Sequence, residues 1–256
     1  MILDIQRIEY QCADVGNTEY VRRNMREIIA ASDLHIHSNV NQPHIIEFCD
    51  MVRRKRPQIL VLVGDVASAW DDSWDNIRKT KEWISLVNLF EERYHSKLPL
   101  VNYYIKGDED YAVKREYIPY CHIFDRSVAT DHLCFIHGWQ FDVLWESIHN
   151  VAYWMAINHP DWAIKFWKLF KNHWIKRTRY GASPDAEFRR KWWVHVAYMH
   201  YRATKFALEN NIRLIIGHTH TPSSYGGWLF DAGSLAENKT YIEVDSKGEV
   251  FIVEIK

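Results

Sequence analysis

An α/β layered fold is predicted by two features of this chain. Short apolar runs alternate with helical segments, and five of those runs each end in Asp or His. Ile28-Ile29-Ala30-Ala31 precedes Asp33-Leu34-His35, and Ile59-Leu60-Val61-Leu62-Val63 precedes Gly64-Asp65. Leu100-Val101-Asn102-Tyr103-Tyr104-Ile105 precedes Gly107-Asp108, and Leu133-Cys134-Phe135-Ile136 precedes His137-Gly138. The fifth run, Ile212-Arg213-Leu214-Ile215-Ile216, leads into Gly217-His218-Thr219-His220. Apolar runs this short, bounded by Gly, Asp and His, read as buried strands. In an open sheet the carboxyl ends of strands build the binding site.

Each element follows in order. Ile2 to Tyr10 reads as a short strand, and the chain turns polar around Gly16-Asn17. From Arg26 the order is a strand to Asp33, a helix from about Pro43 to Arg54, a strand over 58–63, a helix over about 74–93 and a strand over 99–105. Pro43 suits a first helical turn, and Arg53-Arg54-Lys55-Arg56 suits a helix end, where cations meet the negative pole of the dipole. That basic run is read as a solvated helix end in preference to a phosphate patch. Alternation of this kind implies strands layered with helices.

After His137 the strand pattern stops until Ile212. Val143, Leu144, Ile148, Val151, Ala152 and Met155 recur at helical intervals over 142–158, and Ala163, Phe166, Trp167, Phe170 and Trp174 do so over 161–175. Pro184-Asp185 then opens a long helix to about Glu209. The tail returns to short strands over 228–231, 240–244 and 250–255, with a turn at Ser246-Lys247-Gly248.

A chain of 256 residues suffices for one large domain with an insertion. The net charge of -1 gives no global case for nucleic acid or membrane binding. Cys12, Cys49, Cys121 and Cys134 are scattered without a C-x-x-C pair, which fits a reducing compartment. Cys49 and Cys134 read as small core residues. Asp4 and Glu9 occupy the place of a basic, then apolar, leader, and no apolar run reaches the roughly 18–20 residues of a membrane span. A soluble, cytoplasmic protein is expected.

His218 and His220 are two residues apart just past a buried strand, so both imidazoles can turn toward one centre. Taken with the other strand ends, the ordered set Asp-x-His, Gly-Asp, Gly-Asp-Glu-Asp, His-Gly and Gly-His-Thr-His resembles the calcineurin-like metallophosphoesterase superfamily over residues 27 to 245. The resemblance implies a four-layer α/β sandwich of two mixed sheets flanked by helices. It also implies a binuclear centre of divalent metals, Mn²⁺ with Fe or Zn as alternatives. Asp33, His35 and His220 would hold one metal, Asp108, His137 and His218 the other, and Asp65 would bridge them. A metal-bridging hydroxide would attack phosphorus while both metals take up charge on the phosphoryl oxygens. Mixed carboxylate and imidazole donors suit such metals independently of the resemblance.

Two positions depart from the superfamily pattern. Asp108 stands where Asn is usual, adding negative charge to the centre. Glu109 stands where His is usual, so Asp65, Asp108, Glu109 and His137 are the expected catalytic set with a carboxylate in place of an imidazole acid. Beside the substrate, Glu109 would repel a dianionic monoester more than a monoanionic diester. A diester or anhydride with a good leaving group is therefore expected.

The branch most resembled is that of UDP-2,3-diacylglucosamine pyrophosphohydrolase. That branch shares Ser32-Asp33-Leu34-His35, an aromatic and acidic stretch like Ala69-Trp70-Asp71-Asp72, and a helical insert between the last two motifs. It has Gly-Asn-Arg-Asp and His-Gly-Asp where this chain has Gly107-Asp108-Glu109-Asp110 and His137-Gly138-Trp139. The expectation is one domain over 1–256 with a helical cap over 142–208. The substrate carries phosphate and is ranked first as a nucleotide-linked, lipid-like pyrophosphate. A nuclease or cyclic nucleotide phosphodiesterase is the alternative, and an idle metal-binding scaffold is a further one.

Residues 161–191 interleave aromatics with Lys165, Lys168, Lys171, Lys176, Arg177 and Arg179, among other cations. A basic aromatic cap could rest on a membrane surface, take single-stranded nucleic acid, or bury its aromatics in a core of its own. His37 is read as a partly exposed loop residue, and His195 and His200 as structural.

Overall fold

The structure, a computed structural model, describes residues 27–69, 72–110, 112–130, 133–142 and 186–255. One six-stranded sheet has the order β11-β10-β1-β2-β3-β4, where β1 is Ile28–Ala31, β2 Ile59–Val63, β3 Val101–Ile105, β4 His122–Phe124, β10 Thr240–Val244 and β11 Val250–Glu254. Strands β1 to β4 run parallel, while β10 and β11 are antiparallel additions at the β1 side. The second sheet has the order β5-β6-β7-β9-β8, where β5 is Ser127–Thr130, β6 Leu133–Ile136, β7 Arg213–Ile216, β8 Ser223–Tyr225 and β9 Leu229–Asp231. Here β6, β7 and β9 are parallel, with antiparallel β5 and β8 on the edges.

The layers follow from the two-residue period of a strand, which sends successive side chains to opposite faces. Every residue of β2 is buried, as both faces of a covered parallel sheet require. Leu60 and Leu62 join Ile29 and Ala31 against Ile45, Phe48 and Val52 of helix α1 (Pro43–Lys55) and Leu86, Leu89 and Phe90 of helix α3 (Lys81–Tyr94). Ile59, Val61 and Val63 face the other way and meet Leu133, Phe135, Ile215 and Phe230 of the second sheet. Cys134, Ile136, Leu214, Ile216 and Leu229 then face outward onto Ala203 and Ala207 of helix α4 (Ala186–Glu209). Helices, sheet, sheet and helix thus form four layers.

One expectation is revised by local chemistry. The helix expected over 74–93 is two helices, α2 (Trp74–Ile77) and α3, because Thr80 starts a new one by accepting the Trp83 amide at 3.2 Å. Strands β4, β5 and β8 are short edge pieces without an apolar pattern, and the sequence did not mark them. The long helix to Glu209 is present, and its second half is a core layer through Ala203 and Ala207. The strand expected over 2–10 and the helices over 142–158 and 161–175, apart from Asp142, lie outside the described residues. So do Trp70 and Asp71, and so does most of the basic aromatic stretch.

The basic end of α1 carries surface ion pairs: Arg53 with Asp50 and Glu92, and Lys55 with Glu243. Cys49 and Cys134 are buried core residues, as expected. Among the described residues, no helix is long and apolar enough to cross a membrane.

Candidate metal centre

The turns after β1, β2, β3, β6 and β7 meet at one edge of the sandwich. The first two are stitched together by backbone bonds, Asp33 N–H to the Gly64 carbonyl at 3.1 Å and His35 N–H to the Asp65 carbonyl at 2.9 Å. The third is shaped by Asp110, which accepts the Gly107 amide at 2.6 Å and the Val66 amide at 2.7 Å. Asp33 ties in the fifth turn by accepting the His218 amide at 2.8 Å.

These turns bring the seven expected ligands into two groups: Asp33, His35 and His220 in one, and Asp65, Asp108, His137 and His218 in the other. Within each group one donor atom per residue lies within 4.8 Å of the rest. Around Asp33 Oδ1 lie His220 Nε2 at 3.2 Å, His137 Nε2 at 3.4 Å and His35 Nε2 at 3.8 Å. Around Asp108 Oδ1 lie His218 Nδ1 at 3.0 Å and His137 Nδ1 at 3.3 Å. Asp65 Oδ2 is 3.6 Å from His137 Nε2, so Asp65 adjoins the histidine that also touches Asp33.

The backbone is strained where these side chains are presented. Asp33 (φ 54), His35 (φ 47), Asp65 (φ 48), His218 (φ 70) and His220 (φ 54) are all left-handed without being glycine. Asp and His visit this region more readily than most residues, yet each costs about 1 kcal/mol or more. Such outliers persist where surrounding structure enforces them and cluster at functional sites. Two glycines make the approach of the turns possible. A Cβ on Gly64 (φ +80) would overlap the His137 ring, and one on Gly107 would overlap the Asp65 carboxylate.

Electrostatics set the same residues apart. Burial, followed by the carboxylates of Asp108, Glu109, Asp33 and Asp110, pushes Asp65 well above the usual carboxylate range. Burial also opposes charge on Asp33, but the imidazoles of His220 and His137 outweigh it and hold Asp33 well below that range. Asp108 is lowered in the same way, with His218 and His137 overcoming burial. Burial opposes charge on His220 too, yet Asp33 and Glu237 push it up to about 10. The buried carboxylates and imidazoles thus favour each other's charged forms.

The donor set fits divalent cations. His35 Nε2 and His220 Nε2 face each other at 3.1 Å beside a buried carboxylate. Two lone pairs so placed need a shared proton or cation between them. Carboxylates crowded enough to push Asp65 well above the usual range are likewise relieved by positive charge.

Glu109 stands in the same cluster, with Oε2 3.1 Å from His35 Nδ1 and its amide donated to Asp65 Oδ1 at 2.8 Å. It also forms a third donor group with His35 and Asp65.

No family model and no curated protein sequence matches the chain. Among solved structures, it is similar to Yfce, a phosphoesterase from E. coli, at a TM-score of 0.42 and 16% identity over 90% of this chain and 100% of the other. It is also similar to a dimetal phosphatase from Danio rerio, at a TM-score of 0.41 and 8% identity over 91% and 100% of the two chains. These likenesses are distant.

Sequence reasoning missed the partners behind the histidines. Glu237 Oε2 lies 3.4 Å from His220 Nδ1, and Asp142 Oδ2 lies 3.3 Å from His218 Nε2. His195 joins Asp142 at 3.0 Å, while His200 joins the buried Asp231 at 2.8 Å, and Thr219 donates to that same carboxylate at 2.5 Å. Asp231 thereby anchors the residue between His218 and His220. Nothing local marks these residues, because each acts on a histidine distant in sequence.

Proposed function

We propose that this protein is a two-metal-dependent phosphoesterase of the metallophosphoesterase type, cleaving a phosphodiester or phosphoanhydride. The observation that carries the reading is the convergence of seven carboxylate and imidazole donors from five strand ends into two groups, five of the seven on left-handed backbone. Asp33, His35 and His220 are assigned to one divalent cation, Asp108, His137 and His218 to a second, and Asp65 to both. Bound there, two such cations would supply Lewis acidity toward a phosphoryl group and acidify water to a usable nucleophile. The chain supplies the rest by holding the donors in place. Asp33 fixes the His218 backbone, Glu109 N–H fixes Asp65, Gly107 leaves room for the Asp65 carboxylate, and Asp110 fixes the Gly107 turn.

Glu109 gives the reading its substrate direction. Its carboxylate brings negative charge to the edge of the centre, disfavouring a dianionic monoester relative to a monoanionic diester. A carboxylate in place of an imidazole acid offers a leaving group little help, so an anhydride or an activated diester suits it best. Manganese, a cytoplasmic setting and a nucleotide-linked, lipid-like pyrophosphate complete the proposal. The last of these draws on the helical and aromatic pattern within 142–208, the stretch assigned to a cap in a single domain. Contact with a membrane surface would come from the same stretch, and a nucleic acid or cyclic nucleotide diester is the second substrate class.

The test is hydrolysis of a chromogenic phosphodiester and its monoester counterpart with added Mn²⁺, beside Asp65→Asn. Metal-dependent diester cleavage that is lost in Asp65→Asn is the expected result. Full activity in metal-replete Asp65→Asn would refute the assignment, and a preference for the monoester would refute the role of Glu109. Two bound metals without turnover on these esters or on nucleotide-linked pyrophosphates would favour a non-catalytic scaffold.

A further inference from the structure

His218 has a different carboxylate at each ring nitrogen. Nδ1 lies 3.0 Å from Asp108 Oδ1 and Nε2 lies 3.3 Å from Asp142 Oδ2. An imidazole that gives one nitrogen to a cation carries its single N–H on the other, so the two sides cannot play the same part. Asp108 belongs to the donor group with His218, and its Oδ1 lies on the Nδ1 side of the ring. Asp142 lies outside every donor group among the described residues. The proton therefore belongs on Nε2, and the lone pair on Nδ1.

Asp142 is itself held from α4. The carboxylate oxygen facing His218 is also 3.0 Å from His195 Nε2. Seven residues on, along the same helix face, Arg202 donates to the Phe141 carbonyl at 3.0 Å. Phe141 packs against Phe206 with ring centroids 5.7 Å apart. The short 3-10 turn Trp139–Phe141 that ends at Asp142 is thus tethered to α4 at its side chains and its backbone.

We propose, on the metal-centre reading above, that Asp142 is a positioning residue for His218: its carboxylate accepts the Nε2 proton and directs the Nδ1 lone pair to the Asp108 side of the centre, while His195 fixes that carboxylate. Carboxylates placed behind metal-bound histidines set ring orientation and basicity, and their loss costs about 10- to 100-fold in metal affinity. The effect belongs to the Asp108–His137–His218 group. The Asp33–His35–His220 group does not include His218 and should keep its affinity.

The test is Mn²⁺ titration by calorimetry of the full chain, comparing the wild type with Asp142→Asn, His195→Ala and His195→Gln. Asp142→Asn can turn an amide donor toward Nε2 and so favours the wrong tautomer. It is expected to weaken one of two sites by about 10- to 100-fold and leave the other within about threefold. The retained site reports that the fold is intact. His195→Gln keeps a donor to Asp142 and is expected to bind better than His195→Ala. In Zn²⁺-loaded protein, ¹⁵N-histidine NMR should show a protected His218 Nε2 proton in the wild type that is absent in Asp142→Asn. Wild-type binding at both sites in Asp142→Asn, or an unchanged His218 signal, overturns the role of Asp142 while leaving the centre standing. Failure of the wild type to bind metal overturns both.

Discussion

Replacing Gly64 by alanine measures how closely the β2 and β6 turns must approach, and Gly227 supplies the control. Both glycines are left-handed, Gly64 at φ +80 and Gly227 at φ +74. An added Cβ at Gly227 meets nothing within 4 Å, whereas at Gly64 it overlaps the His137 ring. Gly227→Ala should therefore cost only the left-handed penalty, about 1 kcal/mol. Gly64→Ala adds overpacking of about 1–3 kcal/mol, for a total of about 2–4 kcal/mol. His137 is fully buried with its two nitrogens set against Asp33, Asp65 and Asp108, so a shift of the ring disturbs those contacts. Urea unfolding of the metal-free variants gives the stability difference, and Mn²⁺ calorimetry gives the effect on the centre. Gly64→Ala should lose metal affinity while Gly227→Ala retains it. Equal destabilisation by the two substitutions, with metal binding intact in both, would refute the close approach and the fixed placement of His137.

Other outcomes follow from the same contacts. With EDTA present, stability should fall as pH rises. Burial opposes charge on His220, but its carboxylate partners win and raise it to about 10, so the folded state holds a proton the unfolded chain releases near pH 6.5. That contribution is complete below about pH 6.5 and lost as pH passes about 10, and the raised Asp65 acts with the same sign. A thermal midpoint that climbs over this window would contradict the electrostatic account. His200→Ala removes one hydrogen-bond partner of the buried Asp231, which keeps Thr219 and the Gly233 amide, and should destabilise the protein by about 1–3 kcal/mol, read by urea unfolding. Burial pushes the Cys49 thiol up to about 11 and Cys134 up to about 12, so both should resist a thiol reagent at pH 8 until the protein is unfolded. Rapid native labelling of either would show that the helix layers open.

Much of the fold was legible because it is written in local, periodic signals. The run Ile59–Val63 is apolar at every position, which only a sheet covered on both faces accommodates, and the structure splits its residues between two cores. The residues named at the five strand ends were equally legible, since a turn after a strand places its first polar side chains at the sheet edge. Other features depended on competition between weak signals. Thr80 is an ordinary capping residue, and its bond to Trp83 broke one expected helix into two. The short edge strands carry no pattern of their own and exist because β3, β6 and β9 offer free ladders beside them.

By itself, then, the sequence determined the alternation of strands and helices, the covered character of β1 and β2, and the order of Asp and His along the chain. Only the tertiary structure decided which carboxylate stands behind which imidazole. Asp142 and His218, Glu109 and His35, and Glu237 and His220 are set by the meeting of separate turns. The left-handed backbone at Asp33, His35, Asp65, His218 and His220 belongs to that same level. Local propensity disfavours it, and it persists because packing and hydrogen bonds between turns outweigh a penalty that no short stretch of sequence could offset on its own.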